Sequence, residues 1–381
     1  MQRAVKLAGA VCVVTLAGCA SWNPFGTNAP RNPPAALVDF KPTVTVRTTW
    51  TAAIGKAGGY VFSPAAAGGS VFAAAADGTV ARFDAATGRV IWRISAGSNL
   101  SAGVGSDGNT VAVAGEKGTV FAFDGDGKLR WKVQTSSEVL SAPAVTGDLV
   151  IVRSVDNRLA AFDVATGSRR WFLQRTTPAL TLRSAPGIVT SSTGAFAAMP
   201  GGRLLAVTLN NGAPLWEVAV GDPRGTTELE RVSDTSGNPL LLGREICAVA
   251  YQGRVGCYDV AGGTARWARD WSSNVGIGAD ERAIYSSNML GAVGAFSRES
   301  GTSIWRNDKL GYRGLSAPIV IGRSIAVGDA QGYIHFLSRD DGGFAGRIAT
   351  DGSPIQGAPV VIANQVIFQT QAGELVALAA E

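Results

Sequence analysis

From residue 46 to the end of the chain, short runs of β-branched, aromatic and small apolar residues are separated by turns rich in Gly, Asp and Asn. That pattern predicts strands joined by hairpins. The runs also repeat. The stretch Asp77 to Trp92 (DGTVARFDAATGRVIW) returns as KGTVFAFDGDGKLRW ending at Trp131 and DNRLAAFDVATGSRRW ending at Trp171. It returns again as GGRLLAVTLNNGAPLW at Trp216, QGRVGCYDVAGGTARW at Trp267 and LGAVGAFSRESGTSIW at Trp305. A degenerate copy, QGYIHFLSRDDGGFAG, ends at Gly346 where the others have tryptophan. A period of about 40 residues marks one supersecondary unit copied along the chain.

Each copy has a Ser-Ala-Pro-like start, an apolar run, a Gly turn, a second run ending in Phe-Asp or its equivalent, a turn ending in Gly, and a strand carrying Trp. In the third copy these are Ser141-Ala142-Pro143, Leu149 to Arg153, Leu159 to Asp163, Gly167, and Arg170 to Leu173. Four such strands make one blade of a β-propeller. From the Pro position to the Trp position is 28 residues in six copies and 30 in the copy ending at Trp216, so three strands and two hairpins are nearly constant in length.

The last copy stops at Glu381 before any Trp strand, and Trp50 lies in a strand, Thr48 to Ile54, with no inner strands of its own. The expectation is an all-β, eight-bladed propeller of four-stranded antiparallel blades, its ring closed by the N-terminal strand completing the C-terminal blade. Closure of this kind removes two exposed sheet edges. Trp50, Trp92, Trp131, Trp171, Trp216, Trp267 and Trp305 are then structural, each ring buried against a neighbouring blade with its indole N–H on a carbonyl. Asp84, Asp124, Asp163 and Asp259 are expected to satisfy turn amides.

The first residues read differently. Arg3 and Lys6 precede an apolar run from Leu7 to Leu16 that is too short to span a bilayer and suits a signal peptide. It ends in Leu16-Ala17-Gly18-Cys19, which resembles the lipobox of bacterial lipoproteins, where the chain is cut before a lipidated Cys. Residues 1–18 are therefore expected to be removed and Cys19 to carry acyl chains that hold the protein on a membrane without spanning it. Ala20, rather than Asp, follows the Cys; by resemblance to lipoprotein sorting this implies the periplasmic face of the outer membrane. Pro24, Pro30, Pro33, Pro34 and Pro42 make 19–45 an extended tether, and 46–381 the propeller.

Composition adds exclusions. The chain of 381 residues is 46% apolar and 17% charged with 49 Gly, ample for a core. Net charge is +5, two of it from Arg3 and Lys6, and no basic run is interleaved with aromatics, which argues against a nucleic-acid partner. The one histidine, His335, cannot build a multi-histidine metal site and is expected to be packed or hydrogen-bonded. No P-loop, HExxH, CxxC or EF-hand spacing occurs, so neither a metal, a cofactor nor a catalytic residue is expected. With Cys12 cut away and Cys19 lipidated, Cys247 and Cys257 remain in consecutive strands. In an oxidising compartment they form either a disulfide or two buried thiols, structural in both cases.

The irregularities lie between blades. From each Trp position to the next Pro position the intervals are 14, 11, 12, 15, 23, 10, 13 and 13 residues, and the two longest follow Trp171 and Trp216 on neighbouring blades. All such connections emerge on one face of the ring, where insertions carry binding function. The first contains Pro178 to Arg183, the second Asp222 to Gly237.

Lipobox, Pro-rich tether, Trp repeats and these two connections together resemble the BamB family, lipoprotein propellers of the machinery that folds and inserts outer-membrane β-barrels. Leu180-Thr181-Leu182-Arg183-Ser184-Ala185-Pro186 and Gly225 to Asp234 match that family's more specific segments. The resemblance implies a non-catalytic scaffold that docks on the POTRA domains of BamA, with nascent barrel proteins as a second class of partner. It carries Leu180, Leu182, Arg183 and Asp234 over as docking residues, with Glu228 and Arg231 able to lie beside them. Ser236 stands where the family can have a second acid, which weakens the acidic part of the patch. The repeat also resembles quinoprotein dehydrogenase blades, but the Cys-Cys pair and calcium-binding carboxylates of that class are not found.

Overall fold

In the computed structural model, which describes residues 32–381, every regular element is a β-strand, and the strands form eight four-stranded sheets. Blades 1 to 7 use consecutive strands and span residues 65–95, 100–134, 144–174, 188–219, 235–270, 277–307 and 319–349. Blade 8 takes Val360–Ile362, Gln365–Gln369 and Glu374–Ala380 from the C-terminus, and its outer strand, Val46–Ala53, from the N-terminus. The two ends pair antiparallel from Val46 opposite Ala380 to Ala53 opposite Glu374. The expected closure is therefore present.

The burial pattern follows from the stacking. In blade 3 the second strand, Leu149–Ser154, is buried at every position because neighbouring blades cover both its faces. The outer strand, Arg169–Gln174, buries Trp171 and exposes both flanking residues. Eight apolar clusters result, one at each inter-blade seam, in place of a single central core.

Seven of the eight seams are locked in the same way. The indole N–H groups of Trp50, Trp92, Trp131, Trp171, Trp216, Trp267 and Trp305 donate to the carbonyls of Ala85, Gly125, Val164, Leu209, Val260, Arg298 and Arg339, each on the next blade. Under each ring sits that blade's turn glycine. At Gly212, with φ +70°, an added Cβ would stand 2.4 Å from Trp171 Cε3. The repeat's Gly and Trp are thus two halves of one contact, made between successive copies. Asp84, Asp124, Asp163 and Asp259 accept turn amides as expected.

Blade 7 lacks the tryptophan because its neighbour lacks the turn. Blade 8 is cut between its third and outer strands, so no turn glycine is there to receive an indole, and the incoming chain takes the place. Thr43 and Val44 donate to Ala345 O at 2.9 and 3.1 Å, and a Cβ on Gly346 would lie 2.8 Å from Val46 Cγ2.

This changes the expected tether. Residues from Ala35 onward run along blade 7 as a strap: Ala35 exchanges hydrogen bonds with Gly311 O and Arg313 Nη1, Val38 O accepts from Arg347 Nη2, and Phe40 stacks on Phe344 at 5.3 Å. The folded unit begins at Pro34, not near residue 46. Two arginines won this segment from solvent, Arg313 being bound to buried Asp329 at 2.7 Å and Arg347 donating to His335 Nδ1 at 3.2 Å. His335 is fully buried and its Nε2 lies 2.8 Å from Asp329, so the lone histidine is hydrogen-bonded, as expected. Desolvation pushes its pKa down, which suits a neutral ring accepting from Arg347 at Nδ1 and donating to Asp329 at Nε2.

Cys247 and Cys257 are directly opposite in adjacent strands, with Cα atoms 4.1 Å apart, and are bonded. The signal segment, Cys19 and the tether to residue 31 lie outside the described residues. Among the described residues no helix is long and apolar enough to cross a membrane.

Candidate docking surface

Within each blade the inner strand starts, and the outer strand ends, on the same face of the ring, so all inter-blade connections share it. The two longest run through residues 175–187 and 220–234, on either side of blade 4. They are joined by Asp234. Its Oδ1 accepts from Gly201 N–H at 2.9 Å and its Oδ2 from Leu182 N–H at 2.5 Å. Blade 4's hairpin and both long connections are thereby held by one carboxylate.

Asp234 does this from inside, being only 3% exposed. Burial pushes its pKa up, against the two N–H donors and the nearby Arg153 cation. Arg153 is itself 5% exposed, and desolvation pushes it down to about 10. The expected acidic contact is therefore corrected: Asp234 is a pin beneath the surface, not a charge on it. Ser236 is buried too, with its Oγ donating to Asp234 O. An acid lost from that position would change the interior of the loop before it changed the outer face.

What the pin presents is apolar and basic. The chain bends at Ala179–Leu180, leaving Leu180 47% exposed, while Leu182, tied by its N–H, is half-buried. The two leucines thus differ in exposure. Neither belongs to a core cluster. Arg183 is exposed and donates from Nη2 to Glu138 Oε1 at 2.9 Å. It also lines the mouth of the central channel, a cavity of about 390 Å³ shared with Asn238, Met289 and Leu315.

The second connection folds into a single turn. Thr227 Oγ1 accepts from Glu230 N–H, and Glu230 Oε2 accepts from Thr227 and Thr226 N–H, a reciprocal cap that Thr-x-x-Glu spacing encodes. Those donors hold the Glu230 carboxyl below its usual range. Glu228 pairs loosely with Arg231 at 3.8 Å, both exposed, and Arg231 Nε donates to Gly225 O at 3.1 Å. At the apex stands Leu229, 73% exposed, more than any other large apolar residue described. Sequence reasoning passed over it, although an isolated leucine between two glutamates in the longest insertion was a usable signal. It also passed over Glu138 and Arg153, which lie in ordinary-length segments and carry no local mark.

Among the described residues no three His, Cys, Asp or Glu side chains converge to hold a metal ion. The face offers a shaped surface with exposed leucines and a rim of mixed charge, suited to a protein partner.

Comparison with known proteins agrees on one family. The family model described as outer membrane protein assembly factor BamB matches residues 43–98, 76–307 and 290–381. The outer membrane protein assembly factor BamB of Burkholderia pseudomallei is 42% identical over 371 residues, covering 97% of this chain and 96% of that one. The crystal structure of BamB from Moraxella catarrhalis superposes with a TM-score of 0.81 at 26% identity, over 88% of this chain and all of that one. A quinohemoprotein alcohol dehydrogenase from Comamonas testosteroni shares the propeller at a TM-score of 0.68 over 87% of this chain and 76% of its own, but at 11% identity this reflects the fold alone.

Proposed function

The chain belongs to the BamB family of outer membrane protein assembly factors, and from that premise we propose that its long-connection face docks on the periplasmic POTRA domains of BamA. It is a scaffold of outer-membrane assembly and not an enzyme. In this reading Leu180, Leu182 and Leu229 supply the apolar contacts, Arg183, Glu228 and Arg231 the charged rim, and Asp234 holds the two loops in register. Lipidated Cys19 anchors the body to the periplasmic face of the outer membrane, and nascent barrel proteins are a second class of contact.

The observation that carries the reading is Asp234 bridging the two connections, which makes one preorganised surface out of two insertions. The test is binding of purified POTRA domains to a Leu180→Ala/Arg183→Ala variant. Leu180 is half in solvent, so trimming it leaves folding nearly intact, whereas a buried leucine would cost about 2–5 kcal/mol. We expect an unchanged melting curve and affinity lowered at least about tenfold. A variant that folds and binds as the parent does would remove these loops from the interface.

A further inference from the structure

Arg183 does not extend freely from its loop. One of its N–H donors is engaged by Glu138, 2.9 Å away, in the connection between blades 2 and 3. Glu138 is in turn held from two sides: its carbonyl accepts from Val155 N–H at 2.8 Å, and its Oε1 lies 3.4 Å from the Tyr60 hydroxyl of the connection leading into blade 1. The exposures are unequal, with 63% of the Arg183 side chain open to solvent but only 18% of Glu138. The carboxylate is a fixed, recessed support, and the guanidinium stands above it.

We infer that Glu138 is a positioning residue of the docking surface, holding the Arg183 fork so that its remaining donors face oxygen acceptors on the partner. This rests on the docking reading above. The segment 182–183 is then strung between two acids that do not themselves touch the partner, Asp234 on the Leu182 amide and Glu138 on the Arg183 side chain. An unsupported arginine samples many rotamers and must be ordered on binding; a supported one is ordered beforehand. The surface that matters for docking therefore reaches a third connection, well outside the two long insertions.

The test uses the lipidated full-length protein in detergent against purified BamA POTRA domains. Glu138→Gln keeps shape and removes the charge; affinity is expected to fall about three- to tenfold, the cost of ordering one long side chain. In an Arg183→Ala background the same change should do nothing further, which a merely structural role for Glu138 would not produce. Tighter binding by Glu138→Gln would mean that Glu138 withholds Arg183 from the partner, and would overturn the inference. So would a loss of equal size with and without Arg183. If Arg183→Ala weakens binding and Glu138→Gln does not, this inference alone fails; if Arg183→Ala binds as the parent does, the docking reading itself fails.

Discussion

Replacing Gly346 by tryptophan would restore the repeat at the one copy that lacks it, and the repeat pattern alone predicts a gain in stability. The structure predicts the opposite. The strand facing Gly346 is the incoming chain, and a Cβ alone would stand 2.8 Å from Val46 Cγ2. An indole there must displace the strap, with loss of the Thr43 and Val44 hydrogen bonds to Ala345 O and of the Phe40–Phe344 stack. Two hydrogen bonds at about 1 kcal/mol each and an aromatic pair at about 1 kcal/mol give roughly 2–4 kcal/mol of destabilisation. No turn glycine of blade 8 is available to receive the ring in return. The assay is urea unfolding followed by circular dichroism, with the change read as a lowered midpoint at constant slope. Gly212→Ala is the internal standard: its Cβ meets Trp171 at 2.4 Å in a positive-φ turn, so it too should unfold early. A Gly346→Trp midpoint equal to or above the parent's would refute the account of the missing tryptophan.

The remaining expectations are shorter to state. Cys19→Ser should move the protein from the membrane to the soluble periplasmic fraction; normal recovery in the outer membrane would count against the lipobox. A chain beginning at Gly55 lacks the strap, Trp50 and the strand that pairs with Glu374–Ala380, so it should lose its cooperative thermal transition and become protease-sensitive at that edge. Acidification from pH 7 to 5 should lower stability through His335, because the unfolded chain takes up a proton near pH 6.5 while the folded one, with its pKa pushed down, holds the ring neutral. That stability is complete above the unfolded value and is lost as pH falls through the folded one. Asp234 and Glu374, raised by burial, act in the opposite sense. The measure is therefore the difference in pH slope between the parent and His335→Gln, and equal slopes would exclude the histidine.

Much of the architecture was legible because it is local and repeated. Each hairpin is written in a few consecutive residues, and a copy that ends before its Trp strand, with an unpartnered Trp50 at the other terminus, leaves one economical closure. The same copying identified the two long connections as departures, and the family resemblance of the first brought Leu180, Leu182 and Arg183 forward. The strap was not legible: a Pro-rich segment with little periodicity looks like a tether, and only the spacing of Arg313 and Arg347 along blade 7 shows that Ala35 and Val38 have partners there.

What the sequence determined by itself is the repeat, hence the blade, the ring and its closure, since these follow from patterns with a period of two residues and of one blade. The tertiary structure decided what lies between copies. Whether Cys247 faces Cys257 depended on hairpin register, and whether Gly346 needed a tryptophan depended on a turn that its neighbour lacks. The side of the surface on which Asp234 stands depended on where two loops from different blades cross. These are contacts between residues far apart in the chain, and their geometry is set by how eight blades pack around an axis, which no window of sequence contains.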